Sequence, residues 1–344
     1  MKSLLIYFGL LSTFQVYSQR LISVESDSTS QFFTDLQTAY NAANSGDVIY
    51  LPGGATFYSL LIDKDITIIG AGYSMDSSST TGITVVYSAV ITQPNLDVHL
   101  EGIYFQTSVG VSGTNTTEVN ISRCSVEYLN SWGAPNMSGL ISETEIRGRS
   151  PIRSLYCGGA LAVEKFSGVL ANCVIYNTIG EIHGATVKNC VFLDSSSSQY
   201  TDVNNTVFSN NIFLTPCFDQ KPVPYPRCSR GSNNQFINNL FIGSACFENT
   251  NYFSGNQFNV ALASVFSNYP GNTYNPGNRY EINPSGPAAN AGFNGTDIGI
   301  TGGDFPWKPG GVPHNPHFNK IIIAGQTNAD GTLPVEIRVK AQER

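Results

Sequence analysis

The chain has 344 residues, of which only 12% are charged, and its formal net charge is −7. Because no cluster of Lys or Arg occurs, the composition argues against a nucleic-acid partner. No segment is long and apolar enough to predict a transmembrane helix. The 33 glycines, among many Asn and Ser residues, indicate an all-β protein rich in turns.

Residues 1–19 have the pattern of an export signal. Lys2 precedes an apolar run at residues 4–11, and residues 16–18 suit a cleavage site. An apolar first strand is the alternative interpretation. We therefore expect a protein that is secreted or held at the cell surface.

The clearest helix signal lies at residues 33–44. Apolar residues recur there at helical spacing, with Thr34 or Asp35 as the N-cap and Gly46 as the stop signal. The apolar residues are Leu36, Ala39, Tyr40 and Ala43. Because a series of short strands follows, and their open edges would favour association, we predict that this is a capping helix.

A short phrase repeats between His99 and Phe258 and organises most of the chain. The fourth residue of each copy is termed the anchor here. An apolar residue stands two positions after the anchor, and another stands three positions before it in all copies but the first. The anchors are Gly102, Cys124, Thr144, Cys173, Cys190, Asn211, Asn239 and Asn256. A fixed phrase separated by inserts of variable length is typical of a solenoid.

The spacing of the two apolar positions predicts a corner in the chain. They are five residues apart, so in one straight strand they would face opposite sides. The residue before the anchor is often Asn, which tolerates the left-handed backbone that a sharp corner needs. These corner residues are Asn172, Asn189, Asn210 and Asn238. The unit of about 20 residues is too short for a strand-plus-helix crossover of roughly 30, so each turn should hold two or three short strands, as in a parallel β-helix.

The repeated phrase resembles the ladder of the right-handed parallel β-helix proteins of the pectin-lyase-like superfamily. Residues 36–54 are similar to that superfamily's opening segment. Residues 287–292 and 296–303 are similar to the closing segment of many secreted bacterial members. The resemblance implies one elongated all-β domain, a right-handed parallel β-helix over residues 20–303, followed by a tail at 304–344. It implies no single activity, because this fold hosts lyases, hydrolases, adhesins and noncatalytic proteins.

Past Asn259 the phrase ends, and we expect irregular last turns at residues 269–280. In the tail, two short strands near residues 321–324 and 334–339 are expected to close the carboxyl-terminal end of the stack. A separate binding module is the alternative for the tail.

The seven cysteines cannot all pair within the chain. Cys124, Cys173 and Cys190 are anchors, and we predict that they are small buried thiols. Cys217 and Cys228 flank a Pro-rich loop, and export would permit a disulfide between them.

No metal site is predicted. No C-x-x-C pair occurs, and His314 and His317 lack a third ligand and a fixed backbone. We therefore expect no cofactor, with calcium as the open alternative. An acidic protein would repel a polyanionic glycan unless calcium or a local basic patch intervened.

Charged residues on the early turns are the first candidate site. Glu101, Arg123 and Glu143 each precede an anchor, and Glu127 and Arg147 each follow one by three positions. One interpretation is a surface ion ladder, in which each exposed pair contributes no more than about 1 kcal/mol. The other is a catalytic set of Arg123, Glu143 and Arg147, in which an arginine acts as base or charge clamp beside carboxylates.

Aromatic and basic residues nearby are candidates for substrate binding. Trp132, Arg149, Arg153 and Tyr156 lie in or near the long insert at residues 147–169, and aromatic rings offer flat platforms to sugars. The stretch from Arg149 to Arg153 resembles the Arg-x-Pro-x-x-Arg segment of pectate lyases, but it is one residue short. The polygalacturonase motifs are absent from the sequence as well.

Because every enzyme motif is incomplete, the sequence favours a secreted, noncatalytic β-helix. We expect it to bind an extracellular or cell-surface polysaccharide and to be a monomer. The alternative is a polysaccharide lyase or glycoside hydrolase that acts on a uronate-containing glycan, with a lyase favoured over a hydrolase.

Overall fold

The structure, a computed structural model, describes residues 20–113, 117–133, 136–148, 152–153, 165–176, 180–193, 201–214, 232–243 and 250–341. Within these ranges most strands belong to three sheets of mainly parallel strands. Sheet 1 has sixteen strands and begins with antiparallel neighbours. Its strands are β1 (Ile22–Glu25), β2 (Ser30–Phe33), β3 (Val48–Tyr50), β6 (Ile66–Ile69), β9 (Asp97–Glu101), β12 (Thr117–Ser122), β15 (Asn136–Ser138), β16 (Leu140–Ser142), β19 (Lys165–Phe166), β20 (Val169–Ala171), β22 (Gly180–His183), β23 (Thr186–Lys188), β25 (Thr201–Asn204), β26 (Val207–Ser209), β28 (Gln235–Ile237) and β30 (Tyr252–Ser254).

Sheet 2 has nine parallel strands and sheet 3 has five, counted over the same described ranges. The strands of sheet 2 are β4 (Ala55–Phe57), β7 (Thr84–Val86), β10 (Tyr104–Phe105), β13 (Ser125–Val126), β17 (Glu145–Ile146), β21 (Val174–Ile175), β24 (Val191–Phe192), β27 (Ile212–Phe213) and β29 (Leu240–Phe241). The strands of sheet 3 are β5 (Leu60–Ile62), β8 (Ala89–Ile91), β11 (Ser108–Gly113), β14 (Tyr128–Gly133) and β18 (Ile152–Arg153).

The early turns visit the three sheets in the same order. β9 of sheet 1 is followed by β10 of sheet 2 and β11 of sheet 3, and β12 then returns to sheet 1 beside β9. The molecule is therefore all-β with long parallel sheets, an architecture compatible with the predicted solenoid.

The two apolar positions of the repeat both face the interior. Ile121 on β12 and Val126 on β13 are fully buried in one core, and so are their counterparts on later turns up to β29. Aromatic rings in these columns stack from turn to turn, with the centroids of Phe192 and Phe213 4.6 Å apart. The predicted pattern of two inward columns is confirmed for the six copies from Ile121 to Phe241, whereas in the first copy Leu100 and Phe105 face inward and in the last copy Phe258 is exposed.

The corners between sheets 1 and 2 use the left-handed backbone that the asparagines predicted. Asn172 and Asn189 have φ angles of 54° and 53°. Arg123 and Glu143 hold the same corner position, with φ angles of 52° and 47°. Since such residues rarely adopt this conformation, other contacts must hold them in it.

One register in the early turns differs from the prediction. The corner of the first copy is Gly102, with a φ of 68°, and Glu101 pairs with Ser122 rather than with Arg123. The predicted column of Glu101, Arg123 and Glu143 is therefore wrong by one residue at Glu101. Glycine takes the corner there because it meets no steric cost at positive φ.

The anchors lie in the interior. Cys124, Cys173 and Cys190 are buried free thiols, as predicted. Among the later anchors, Asn211 Nδ2 donates to Asn239 Oδ1 at 3.0 Å. Each buried amide thus gains a partner from the next turn, which removes most of the cost of placing a polar group there.

Helix α1 (Leu36–Ala42) falls inside the predicted helical range. Asp35 is its N-cap, and Asp35 Oδ1 accepts a hydrogen bond from the Thr38 backbone N–H at 2.8 Å. Leu36, Ala39 and Tyr40 are buried in the same core as the strands.

A second core lies on the outer face of sheet 2. Val174, Val191 and Ile212 alternate with the inward residues along their strands, yet they are also buried. They pack against the carboxyl-terminal region, which includes helix α2 (Leu262–Val265) and the 3₁₀ turns Phe293–Gly295 and Pro309–Gly311. The covering residues are Val265, Phe266, Tyr280, Ile282, Ala288, Ile298 and Ile300. Residues 269–280 thus pack against the side of the stack instead of forming the expected last turns.

Residues 291–314, here called the strap, run back along the corners. Asn172 Nδ2 donates to the carbonyl oxygen of Ile300 at 2.8 Å. Arg123 Nη1 donates to the carbonyl oxygen of Val312, also at 2.8 Å. The corner side chains therefore hold the strap as well as bend the chain, and the strap crosses the predicted boundary at residue 303.

The two strands predicted in the tail are β31 (His317–Ile323) and β32 (Val335–Lys340), which pair antiparallel. Their side chains at Ile321, Ile323 and Ile337 remain about half-exposed. The pair therefore does not close the end of the core, which corrects the expected role of these strands.

Candidate functional site

The edge between sheets 2 and 3 carries one outward position on each turn. The residue after the inward position of sheet 2 donates its backbone N–H to the turn before, as from Tyr87 to Phe57 at 3.0 Å and from Gln106 to Val86 at 2.9 Å. We call these residues the edge column. They are Tyr58, Tyr87, Gln106, Glu127, Arg147 and Tyr176.

Exposure differs between the two ends of the edge column. Tyr58 is 92% exposed, Tyr87 is 49% exposed, and Tyr176 is only 4% exposed. Glu127 and Arg147, between these extremes, are partly exposed. The column is thus open at its amino-terminal end and closed at Tyr176.

Arg147 is held firmly at the closed end. Its Nη1 donates to Tyr104 Oη at 2.6 Å, and its Nη2 donates to the carbonyl oxygen of Phe105. Its guanidinium carbon lies 4.3 Å from the Tyr104 ring centroid and 5.1 Å from that of Tyr274. Two aromatic faces and two hydrogen bonds therefore fix the position of this cation.

The backbone ladder changes register beside this arginine, from Tyr104 paired with Ser125 to Ser108 paired with Tyr128. On the turns before and after, the edge-column N–H donates to the inward residue of the preceding turn, whereas Glu127 N donates to the carbonyl oxygen of Thr107 at 2.9 Å. Because Glu127 N bonds to Thr107, the carbonyl oxygen of Phe105 accepts from Arg147 Nη2 instead. The guanidinium is therefore an integral part of the local ladder.

Glu145, two residues before Arg147, is a buried carboxyl group on the outer face of sheet 2. Burial raises its pKa to about 8, although the hydroxyls of Tyr274, Ser125 and Tyr73 and the charge of Arg147 act in the opposite direction. Glu145 is therefore largely protonated at neutral pH.

Several polar atoms around Glu145 are not fully paired. Glu145 Oε2 and the hydroxyls of Tyr73 and Tyr176 are buried and make no hydrogen bond of normal geometry to any residue that the structure describes. The Tyr274 hydroxyl lies 3.0 Å from Ser125 Oγ. Burial raises the pKa of Tyr73, Tyr176 and Tyr274 as well. Clusters of perturbed groups are typical of functional sites, and also of buried polar networks.

Arg123 and Glu143 form a buried ion pair, with Arg123 Nε 3.0 Å from Glu143 Oε2. Their side chains are only 1% and 3% exposed, because the strap covers them. The interpretation as an exposed ion ladder is therefore wrong. The proposed catalytic set is also divided, since Arg147 lies on the edge column and this pair lies beneath the strap.

Glu101 binds the carboxyl-terminal end of the strap. Its Oε1 accepts from the His314 backbone N–H at 2.7 Å and lies 2.9 Å from His314 Nδ1. Burial acts to raise the pKa of Glu101, but hydrogen bonds from His99 and His314 outweigh it and lower the pKa to about 2. His314, which the sequence analysis weighed and rejected as a metal ligand, thus contacts the Glu101 carboxylate.

The structure places two of the predicted substrate-binding residues on neighbouring strands. Trp132 lies on β14 and Arg153 on β18, which pair in sheet 3. Arg149 and Tyr156 lie outside the described residues. Cys217 and Cys228 do too, so their disulfide stays a prediction.

Sequence reasoning missed Tyr58, Tyr87, Glu145 and Tyr274. Tyr58 and Tyr87 follow an inward residue of sheet 2, so extension of the repeat to residue 55 would have placed them in the edge column. Glu145 lies inside a recognised copy, immediately before the inward Ile146. Nothing in the local sequence of Tyr274 indicates its partner, which lies more than 100 residues earlier.

Among the described residues, no three or more His, Cys, Asp or Glu side chains form a group that could hold a metal ion. Over the same part of the chain, no helix has the length and hydrophobicity of a membrane span. No protein-family model matches the chain, and no relative was found among curated proteins.

Proposed function

We propose that the protein is a secreted right-handed parallel β-helix that binds polysaccharide outside the cell or at its surface. The stacked turns and left-handed asparagine corners support the β-helix. Helix α1 is proposed as its cap, since its apolar residues join the core at the end where β1 and β2 form the edge of sheet 1.

The edge column is the proposed binding surface. The observation that carries the proposal is the pair of exposed tyrosines, Tyr58 and Tyr87, on consecutive turns of one column. An aromatic ring offers a flat apolar face to a sugar ring, and its hydroxyl remains free for polar contacts. Gln106 and Glu127 follow in the same column and supply groups that bind sugar hydroxyls.

The strands of sheet 3 adjoin this surface. Trp132 and Arg153 lie on two of these strands, β14 and β18, which pair with each other. On the turns of Tyr58, Tyr87, Gln106 and Glu127, sheet 3 begins within two residues of the edge column, so a polymer bound at Tyr58 and Tyr87 would run beside sheet 3. We propose that both regions contact the same glycan.

A lyase or hydrolase that acts on a uronate-containing glycan remains the second candidate. It is favoured by Glu145, whose burial raises the pKa to about 8 beside the fixed cation Arg147. A carboxyl group that stays protonated at neutral pH is suited to general acid catalysis. Binding without catalysis is preferred, because Glu145, Arg123 and Glu143 are all buried.

Affinity electrophoresis tests the proposal. The protein is run through gels that contain polyuronates, glucans, xylans or mannans, with and without calcium. We expect retardation by at least one polysaccharide, and a loss of at least about tenfold in affinity when Tyr58→Ala and Tyr87→Ala are combined. Tyr252→Ala is the matched control, since Tyr252 is also exposed but lies on sheet 1.

Two outcomes would contradict the proposal. Retardation that survives in the double variant would exclude the edge column as the binding site. Migration that no polysaccharide changes would exclude polysaccharide binding as the function. The same glycans are assayed for unsaturated ends by ultraviolet absorbance and for reducing ends. Product that disappears on Glu145→Gln would establish the enzyme instead.

A further inference from the structure

The hairpin formed by β31 and β32 has one apolar side and one polar side. Residues that pair directly across antiparallel strands point to the same side, as do residues two apart along one strand. The register of the two strands therefore brings six apolar side chains together on one side, here called the tail face. These residues are Phe318, Ile321, Ile323, Val335, Ile337 and Val339.

A bulge in β31 keeps the tail face continuous. The pairing of β31 with β32 passes over Asn319, which is one extra residue on its strand. Without this bulge, strict alternation would place Phe318 on the side opposite to Ile321. The carbonyl oxygen of Asn319 accepts a hydrogen bond from Thr80 Oγ1 at 2.9 Å. The irregularity thus completes the apolar side and also attaches the hairpin to the loop of an early turn.

The other side of the hairpin pairs its own charges. Glu336 Oε2 lies 2.7 Å from Lys320 Nζ, and Glu336 Oε1 lies 2.8 Å from Arg338 Nη2. The remaining residues of this side are His317, Ile322 and Lys340. The charged side chains of the two strands therefore all lie on the side away from the tail face.

The tail face is exposed to solvent. Its six side chains are between 40% and 61% exposed, and neither core formed by the described residues includes any of them. A two-stranded hairpin is only marginally stable in water unless its apolar side packs against another surface. The exposed parts together amount to about 600 Å² of apolar surface, the size at which a patch on a monomer often marks an interaction site.

A second copy of the chain fits the tail face in area and in chemistry. Two tail faces packed against each other would bury about 1,200 Å² in total, which reaches the range of stable interfaces. A two-fold interface brings the same patch of both copies together, so the patch must complement itself. An uncharged apolar patch meets this requirement, whereas a patch of one charge would repel its copy.

A lipid surface fits the hairpin less well. Lys320 and Arg338 could bind anionic headgroups, but they lie on the side away from the tail face and are paired with Glu336. The chain as a whole has a net charge of −7, which would repel it from an anionic membrane.

We propose that the tail face is the interface of a homodimer, in which the hairpins of two copies pack face to face around a two-fold axis. The sheets of such a pair lie about 10 Å apart, and the side chains of both tail faces fill the space between them. This inference is independent of the proposed polysaccharide binding. It differs from the monomer expected from the sequence.

Sedimentation equilibrium of the full-length protein at about 1–100 μM tests the proposal. We expect the mass of two chains at the upper concentrations. Ile337→Lys places a charge at the centre of the tail face and should weaken association at least about thirtyfold. Ile322→Lys is the matched control, because Ile322 is a half-exposed isoleucine on the other side of the same hairpin, and association should be unchanged. Far-ultraviolet circular dichroism confirms that both variants keep the fold.

Three outcomes would overturn the proposal. The first is the mass of a single chain at every concentration. The second is equal weakening of association by Ile337→Lys and Ile322→Lys. The third comes from flotation with vesicles of phosphatidylcholine and phosphatidylglycerol. A protein that stays monomeric and binds these vesicles through Ile337 would assign the tail face to lipid instead.

Discussion

The outer face of sheet 2 has two regions that share one backbone and differ in their side chains. In the later turns it carries Val174, Val191 and Ile212, and the carboxyl-terminal region covers it. In the earlier turns the equivalent positions are Ser125 and Glu145, and the adjoining edge column becomes exposed. Strand register is continuous between the two regions and the outer-face residues of both are buried, so the regions differ in polarity and in the exposure of the adjoining edge positions.

The boundary between the two regions falls at Glu145 and Arg147. Tyr274 reaches this boundary through its ring and its hydroxyl, and beyond it the edge column is open. The edge position of each turn, rather than the outer face of sheet 2, is therefore where the two regions differ in exposure.

A charge placed in the covered region should have the largest effect. Leu193 and Gln106 hold equivalent edge positions, the first buried in the second core and the second exposed. Leu193→Asp would bury an unpaired carboxylate and should cost about 4 kcal/mol or more in the free energy of unfolding. Gln106→Asp is the matched control and should change it by less than about 0.5 kcal/mol.

Urea unfolding followed by circular dichroism measures both variants. Equal destabilisation by the two substitutions would mean that Leu193 and Gln106 are equally buried, and it would contradict the difference between the two regions.

The strap over the early turns gives the next largest effect. Arg123→Met would leave Glu143 buried without its cation and should cost about 3–5 kcal/mol. Combining it with Glu143→Leu should recover most of that loss, because no unpaired charge remains. The same unfolding assay applies, and a double variant no more stable than Arg123→Met would show that the pair acts by more than charge compensation.

The free energy of unfolding should depend on pH through Glu145, which lies at the boundary. The ordinary pKa of a glutamate side chain is 4.5, and burial raises the pKa of Glu145 to about 8 in the folded protein. Between these values the folded state keeps a proton that the unfolded state releases. The contribution of this group to stability is therefore fully present below about pH 4.5 and is lost as the pH rises through 8.

Glu145→Gln should abolish the loss of stability that accompanies a rise in pH. We expect the unaltered protein to lose a few kcal/mol relative to this variant between pH 5 and pH 9. Glu118→Gln, at an exposed position of β12, controls for the removal of a carboxyl group. Parallel pH profiles for the unaltered protein and Glu145→Gln would show that the carboxyl group is not buried as described.

The smallest effect concerns the corner side chains that hold the strap. Asn172→Gly keeps the left-handed backbone and removes the hydrogen bond to Ile300, so it should cost about 1 kcal/mol. Asn172→Ala adds backbone strain and should cost about 1–2 kcal/mol more. Asn205→Gly is the control, since Asn205 is exposed and has a φ of 52°. An equal effect of glycine at both positions in thermal unfolding would argue against a role of Asn172 in holding the strap.

Local periodicity explains why much of the fold was predictable. An apolar residue such as Ile121 or Val126 recurs on every turn, because each turn must fill the same cross-section of the core. Asn172 and Asn189 recur because each turn must bend at the same place. The register of the first copy is the exception. Gly102 adopts the left-handed backbone of the bend without an asparagine, and it lies at the corner rather than at the anchor position.

The candidate site was less predictable. The sequence alone does not distinguish Arg123 and Glu143 from surface charges, because a repeat shows which residues face inward but not what covers the outer face. Trp132 and Arg153, predicted to bind substrate, lie on paired strands, and their role stays a prediction. Tyr58 and Tyr87 escape prediction because the recognisable repeat begins only at His99.

The sequence by itself determined the all-β architecture with parallel turns, the inward columns, the buried cysteines and helix α1, because each depends on neighbours within one or two turns. The tertiary structure alone decided the cover over sheet 2, the path of the strap, the burial of Arg123 and Glu145, and the packing of Tyr274 against Tyr176. These contacts join residues far apart in the chain, such as Ser125 and Tyr274, which are 149 positions apart. No repeating pattern specifies which distant segment will pack on a given face, since that choice depends on the shape and polarity of both surfaces together.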